Sequence, residues 1–187
     1  MHLCKVTRIT TDHMDFNNIK TEALKRAKQN EICEEWAVKM ENAQTLDELL
    51  DMYIKGIDFS FSSEFISNDF MRRNLKGKME HKGIFLDDSI DLHNNREIVC
   101  LGDSRLNYLA DEFSVTQMYL RDNVKARLVV RDSAFVMIDI FDNVQLEIEA
   151  SDKANVRVNC YKGAKVTFKS NDDSYVKISN KDFKTYR

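Results

Sequence analysis

The sequence contains no proline, and only five of its 187 residues are glycine. It has no phosphate-binding loop, no Gly-x-Gly-x-x-Gly and no Gly-x-Ser-x-Gly, so nucleotide binding or hydrolysis through those motifs is excluded. The absence of proline and of any Ser/Gly-rich stretch also leaves no flexible linker. We therefore expect the parts of the chain to pack directly on one another.

Cysteine and histidine are equally sparse. The four cysteines, Cys4, Cys33, Cys100 and Cys160, are scattered without a Cys-x-x-Cys pair, and the four histidines have no ligand-like spacing. The sequence therefore predicts no zinc site and no other cofactor. Scattered free thiols favour a reducing compartment, and no apolar run is long enough to cross a bilayer or to serve as a leader. We expect a cytoplasmic protein without a membrane partner.

The charge balance gives no general attraction to polyanions. A formal net charge of −3 provides no overall basic field for nucleic acid or an anionic membrane surface. The one basic cluster runs from Arg72 to Lys82 and could in principle meet phosphates. We interpret it instead as a solvated face that pairs with acidic helices, and we do not expect nucleic-acid binding.

The sequence does contain a ten-residue repeat. Residues 102–181 divide into eight rows of ten without insertion or deletion. The third, fifth and seventh places of the rows hold small or apolar residues, and the places between them are mostly polar, a period of two that is typical of strands with one wet face. The first two places are mostly Asp, Asn or similar residues, which favour tight turns. Each row is therefore predicted to be one strand and one corner.

Two architectures fit an even period, a parallel β-solenoid and an antiparallel meander. A meander with two-residue hairpins is excluded, because it would bring tenth-place residues such as Arg121 and Arg131 to the buried face. Three-residue loops would restore the register and suit Asn123 and Gly163, but not Phe113. We favour the solenoid, because a fixed period is typical of repeat architectures, with two rows per coil as the simplest closure.

The residues before the repeat are predicted to be mainly helical. Apolar spacing predicts helices over about 19–30 and 31–42, a third helix from a capping box at Thr45 to Gly56, and a shorter helix over 70–75. The start of the chain is consistent with a short strand or a docking arm, on the basis of Val6, Ile9, Met14 and Phe16.

The fold class expected from these patterns is α+β, a helical N-terminal segment followed by a short β-solenoid (β-helix) of ten-residue rows. Residues 1–98 form the helical segment and the solenoid cap, and residues 99–187 form the repeat domain. Residues 76–98 should cap the first row, and 97–101 resembles an imperfect ninth row. The charged tail from Asp182 could blunt the other end of the solenoid.

Three stretches, 36–59, 67–70 and 134–143, resemble a family of small uncharacterised proteins encoded in gut Bacteroidales genomes and their prophages. The resemblance covers nearly the whole chain and transfers no functional residues. It implies a phage or mobile-element origin and a role inside a bacterial cell.

Asp87, Asp88, Asp91 and His93 form the one cluster that could perform acid–base or metal chemistry. Carboxylates and an imidazole converge there only if the chain turns between them. We interpret the cluster as a solvated loop before the solenoid, so no catalytic residue is assigned.

The corner aspartates also suggest calcium. With two rows per coil, Asp132, Asp152 and Asp172 would form a ladder of like charges along one edge. Calcium-binding β-roll repeats, however, need glycine-rich turns that wrap the ion, and these corners have almost no glycine. We therefore assign no metal site.

A two-row coil sends alternate rows to opposite faces. One face is polar, and the other carries large apolar and aromatic residues with one arginine, a composition typical of contact sites. This candidate interaction surface consists of Tyr119, Phe135, Met137, Phe141, Arg157, Tyr161 and Tyr175. Three occupants remain open: the chain's own helices (through Trp36, Leu49, Leu50 and Tyr53), a second copy, or a foreign protein.

The function predicted from these observations is a non-enzymatic protein-interaction module. The alternatives are an inhibitor of a host defence system, which depends on the suspected phage origin, and a β-helix protein that binds or acts on polysaccharide. The latter would need charged residues converging on one solenoid face.

Overall fold

A computed structural model of the protein describes residues 14–186. The helices are α1 (Phe16–Gln29), α2 (Glu34–Asn42), α3 (Leu46–Lys55), α4 (Ile57–Ser63) and α5 (Asn68–Asn74), followed by a 3₁₀ turn at Glu80–Lys82. The strands are β1 (Ile84–Leu86), β2 (Ser89–His93), β3 (Glu97–Leu101), β4 (Arg105–Ala110), β5 (Val115–Leu120), β6 (Lys125–Val130), β7 (Phe135–Ile140), β8 (Gln145–Ala150), β9 (Asn155–Cys160), β10 (Lys165–Ser170) and β11 (Tyr175–Asn180).

The first helix begins earlier than its apolar spacing predicts. Asp15 caps it, accepting a hydrogen bond from the backbone N–H of Asn18 at 2.9 Å. Phe16 is thus helical, and the predicted short strand is wrong at that residue. Met14 precedes the helix and is partly buried against the cluster that contains Leu50 and Phe61. Val6 and Ile9 lie outside the described residues.

The capping box of α3 is confirmed. The hydroxyl of Thr45 accepts a hydrogen bond from the N–H of Glu48 at 3.2 Å, and the Glu48 carboxylate accepts one from the N–H of Gln44 at 2.7 Å. Gly56 ends the helix as predicted, but α4 follows at once and was missed. Its signal is the buried pair Ile57 and Phe61, four residues apart on one helix face.

The repeat forms a β-solenoid with two rows per coil, as predicted. Sheet A has the strand order β1-β3-β5-β7-β9-β11, and sheet B has the order β10-β8-β6-β4-β2. All neighbouring strands are parallel, and within the repeat each residue lies opposite the same place two rows later, for example Val136 opposite Val156 and Leu128 opposite Ile148. Parallel pairing begins at β1 and β2, so strands lie on both sides of the predicted boundary at residue 98.

The interior of the solenoid is filled by four columns of side chains. The third, fifth and seventh places face inward as predicted, and so does the ninth place, which the sequence analysis did not assign. The buried ninth-place residues are Ala110, Leu120, Val130, Ile140, Ala150 and Cys160. The small residues of the third-place column, such as Ala134 and Ala154, pack with the larger side chains of the other columns in one continuous core.

The corner aspartates make the turn and cap the neighbouring coil. Asp132, Asp152 and Asp172 have φ values of 58°, 57° and 55°, the left-handed region that short polar side chains tolerate. The Asp132 carboxylate accepts a hydrogen bond from the N–H of Glu112 at 2.9 Å, and Asp152 and Asp172 repeat this bond one coil further on each time. Each carboxylate in the ladder therefore binds a backbone donor, which offsets the repulsion between like charges.

The helices pack against one edge of the solenoid. Leu50, Ile54 and Phe61 share a buried cluster with Val99 of β3 and Phe141 at the end of β7. The predicted helix contact thus holds for Leu50, and Tyr53 is partly buried in the same cluster.

Two residues predicted to cover the solenoid lie among the helices instead. Leu49 packs with Met40 and Phe65. Trp36 lines a pocket of about 370 Å³ between α2, α3 and α4. Trp36 belongs to α2, whose main packing is against α1.

The C-terminal end of the solenoid stays open. Phe168 is 49% exposed, and Val166, Val176 and Ile178 are only partly buried. The predicted blunting of this end by the tail is wrong for the described residues, because Phe183 and Tyr186 fold back against Tyr161 on sheet A.

Candidate interaction surface

The outer face of sheet A is divided into an open half and a covered half. At the start of its strands, Val115 and Tyr175 are 62% and 52% exposed. At the other end, Phe141 and Tyr161 are 1% and 6% exposed. The predicted candidate residues are therefore distributed over two different environments.

The covered half is an aromatic cluster inside the molecule. The rings of Phe141 and Tyr161 stack with centroids 4.3 Å apart, and Phe61 of α4 and Tyr186 of the tail meet Phe141 edge-on at 5.2 and 5.1 Å. Tyr119 lies at its margin, 6.5 Å from Phe61. Burial raises the pKa of Tyr119 and of Tyr161 to about 12. These three predicted surface residues therefore form the docking site of the chain's own helices and tail.

A buried carboxylate fixes the tail to sheet A. Asp139 is 7% exposed. The hydroxyl of Tyr186 and the side-chain amide of Asn159, the latter at 2.6 Å, both donate hydrogen bonds to it. A buried charge is tolerated when donors of this kind surround it, so this polar contact specifies where the tail lies.

Arg121 fixes α4 to the same edge. Its guanidinium donates to the Asp142 carboxylate at 3.1 Å, to the backbone carbonyl of Phe61 at 2.6 Å and to the carboxylate of Glu64. The side chain is only 12% exposed. Since one cation binds three acceptors on both parts of the protein, the helices have a defined position on the solenoid.

The open half keeps the other four predicted residues together. Phe135 and Met137 are half-buried, Tyr175 is exposed, and the exposed Arg157 places its guanidinium 5.6 Å from the centre of the Phe135 ring. Phe113 adds to this patch at the adjoining corner, where it is 84% exposed. Phe113 was not among the predicted surface residues, although a bulky aromatic at a corner place is its signal.

The predicted acid–base cluster does not converge on one point. Asp87 pairs with Arg72 at 2.6 Å, and this hydrogen bond lowers the pKa of the carboxyl. Asp88 pairs with Lys76 at 3.1 Å. Both pairs tie the region of α5 to the first coil, and Asp91 faces the other way, accepting a hydrogen bond from Asn107 on sheet B.

His93 belongs to a separate network. One of its ring nitrogens lies 2.8 Å from the carboxylate of Asp111, which also binds Arg131 at 2.9 Å and Asn94 at 2.8 Å. Hydrogen bonds from Arg131 and His93 hold the pKa of Asp111 well below its usual range. The network joins the first coil to the next one along the edge of sheet B.

The basic cluster between Arg72 and Lys82 contacts acidic side chains. Lys82 pairs with Asp51 of α3 at 2.7 Å, and His81 lies 2.9 Å from Asp47 of the same helix. These contacts agree with its interpretation as a face that pairs with acidic helices.

Within residues 14–186, no group of three or more His, Cys, Asp or Glu side chains is arranged to hold a metal ion. Cys33, Cys100 and Cys160 are free thiols, and burial raises the pKa of the latter two. No described helix is both long and apolar enough to span a membrane.

No family model, no curated protein and no solved structure matches the chain.

Proposed function

We propose that this protein is a non-enzymatic interaction module that binds a partner protein through the open half of sheet A. The observation that supports this most strongly is the exposure of three large apolar side chains at this end of the strands, Phe113 at 84%, Val115 at 62% and Tyr175 at 52%. Phe135 lies opposite Val115, and Asn155 stands between Phe135 and Tyr175. Contiguous apolar patches on water-exposed surfaces usually mark contact sites.

The composition of the patch suits recognition of protein. Aromatic residues, methionine and arginine are enriched at interface cores, and here Met137 and Arg157 lie beside Phe135 and Tyr175. The part of the patch on β5 and β7 is also well supported, because each of these strands has a hydrogen-bonded neighbour on both sides. We infer a partner with an apolar side chain for the aromatic patch and a carboxylate for Arg157.

The module is proposed to work in the cytoplasm. The exposed free thiol of Cys33 suits a reducing compartment. The shifted carboxyl groups of Asp87 and Asp111 are held in pairs that connect parts of the fold, which favours an interaction role over acid–base catalysis.

The test is affinity capture from lysate of the native host with wild-type protein and a variant that carries Phe135→Glu and Tyr175→Glu. Val38→Glu is the matched control, because Val38 is 46% exposed on α2, a helix that packs mainly on α1. The expected result is a protein retained by wild type and Val38→Glu and lost by the double variant, with unchanged circular dichroism for all three.

Light scattering on the same proteins separates the two kinds of partner. A dimer mass in wild type that falls to a monomer mass in the double variant would identify self-association. Capture of the same proteins by all three, with equal mass, would contradict a role for this surface.

A further inference from the structure

Sheet B carries an open groove of about 710 Å³ that runs along the solenoid axis. It crosses β4, β6, β8 and β10, which lie side by side in that order. Its two walls are the outward side chains of the fourth and sixth places of the rows. They are Arg105, Lys125, Gln145 and Lys165 on one side, and Asn107, Arg127, Glu147 and Thr167 on the other.

Three cations of the groove make no ion pair within the described part of the chain. Arg105, Lys125 and Arg127 form no ion pair and no side-chain hydrogen bond there. Arg105 lies directly opposite Lys125 on the neighbouring strand, and strands are about 4.8 Å apart. Like charges placed opposite each other destabilise a sheet. Arg127 lies opposite Glu147 on β8, which offsets part of its charge. The repulsion between Arg105 and Lys125 has no such offset among the described residues, so an anionic ligand would relieve it.

The order of charges along the groove identifies the kind of ligand. The walls are cationic on β4 and β6, carry Glu147 with the neighbouring Glu149 on β8, and are cationic again at Lys165 on β10. A uniformly charged polymer would meet Glu147 in the middle of the site. Among the described residues no aromatic side chain lines the groove, so bases would find no stacking surface there. A polypeptide, by contrast, can carry acidic and basic side chains in a fixed order.

The dimensions suit a short extended segment. Four parallel strands span about 14 Å, which an extended peptide covers with about four or five residues. The uncharged wall residues Asn107, Gln145 and Thr167 can both donate and accept hydrogen bonds, as peptide groups require.

From this geometry we propose that the sheet-B groove binds an extended segment of a partner protein. Acidic side chains of that segment face Arg105, Lys125 and Arg127, and a basic side chain faces Glu147. This site is separate from the open half of sheet A, so either proposal can fail while the other stands.

The probes are short synthetic peptides titrated into the full-length protein, with amide chemical shifts followed by NMR. The patterned peptide carries two acidic residues, one basic residue and one acidic residue in that order. A second peptide carries the same residues in the reversed order. A scrambled peptide of the same composition, polyglutamate, oligo(dT) and polygalacturonate serve as comparisons. We expect the patterned peptide to bind about tenfold more tightly than the scrambled one, since two well-placed charge pairs supply that ratio. The shifts should be confined to β4, β6, β8 and β10.

Charge reversal tests the assignment of the residues. A variant with Lys125→Glu and Arg127→Glu should lose about tenfold in affinity for the patterned peptide, whereas Lys153→Glu, which changes an exposed cation at a corner, should change nothing. Glu147→Lys should weaken binding of the patterned peptide and strengthen binding of polyglutamate.

The proposal is overturned if the patterned and scrambled peptides bind equally, if no probe shifts the groove residues, or if any of the three uniform polymers binds wild type best. Preference for oligo(dT) or polygalacturonate would assign the groove to nucleic acid or to acidic polysaccharide. The variant with Phe135→Glu and Tyr175→Glu should bind the patterned peptide like wild type, which keeps this test separate from that of the open half of sheet A.

Discussion

Removing the hydroxyl group of Tyr186 should measurably weaken the attachment of the C-terminal tail to sheet A. In Tyr186→Phe the ring can keep its contacts with Phe141 and Tyr161, while Asp139 loses one of its two side-chain donors. A hydrogen bond to a charged group contributes about 1.5–3 kcal/mol, and the carboxylate is only 7% exposed, so little water can replace the lost donor. We expect a loss of about 2 kcal/mol in the free energy of unfolding.

The assay is urea unfolding followed by circular dichroism, with thermal melting as a second measure. For a chain of this size, a loss of 2 kcal/mol corresponds to a fall of roughly 4–8 °C in Tm. The matched control is Tyr175→Phe, an exposed tyrosine on the same sheet whose hydroxyl has no partner among the described residues, and it should change stability by less than about 0.5 kcal/mol.

A double-mutant cycle isolates the bond itself. In an Asp139→Asn background the acceptor is neutral, so Tyr186→Phe should cost less there than in wild type by about 1 kcal/mol. Equal costs in the two backgrounds, or equal effects of Tyr186→Phe and Tyr175→Phe, would refute the assignment of Tyr186 as a partner of a buried charge.

Three further outcomes test the solenoid. Ile148→Asp should lower the free energy of unfolding by about 3–5 kcal/mol, because it buries an unpaired charge in the core. Glu147→Gln, on the solvent-facing side of the same strand, should lower it by less than about 0.5 kcal/mol. Equal denaturation midpoints for the two variants would contradict the register. Gly163→Ala should destabilise the protein more than Gly77→Ala. Both glycines have positive φ (108° and 85°), but only at Gly163 would a Cβ lie 2.4 Å from a carbonyl oxygen, that of Asp142. Equal falls in melting temperature would show that backbone strain alone determines the effect. The pKa of Asp111 is lowered by Arg131, His93 and Asn94, so its stabilising effect should be complete above the unfolded pKa of about 4 and should decline as pH falls below it. The stability gap between wild type and Asp111→Asn should then narrow below about pH 4, and a gap that is constant down to pH 2 would count against this coupling.

The coil itself could be predicted from the sequence because its signal is local and repeated. An even period keeps every third, fifth and seventh place on one side, and β-strand alternation turns that into a buried core, as at Val136 and Ile138. The ninth place was harder to assign, since its small members, such as Ala110 and Ala150, are equally compatible with a corner. The helix α4 was missed because Gly56 signals an end, and the chain resumes a helix directly behind it.

The division of sheet A into open and covered halves could not be predicted from the period of two. That period distinguishes inside from outside, but it carries no information about position along the strand. Tyr119 and Phe135 are both outward, and only the docking of Phe61 and Tyr186 makes the surroundings of the first different from those of the second. Such contacts join residues far apart in the chain, which no local pattern encodes.

The tenth place of the rows nevertheless contains a signal for the covered edge. With two rows per coil, the edge that follows the strands of sheet A carries Arg121, Phe141, Tyr161 and Lys181, whereas the edge that follows sheet B carries Asp111, Arg131, Ser151 and Asn171. Stacked aromatic side chains at the tenth places of one edge, and none at the tenth places of the other, indicate an edge that another part of the chain must cover, because stacked corner aromatics are costly to leave in water. Sorting corner residues by alternate rows would therefore have located the helix contact before the structure did, and would have separated Phe141 and Tyr161 from the residues that remain open to a partner.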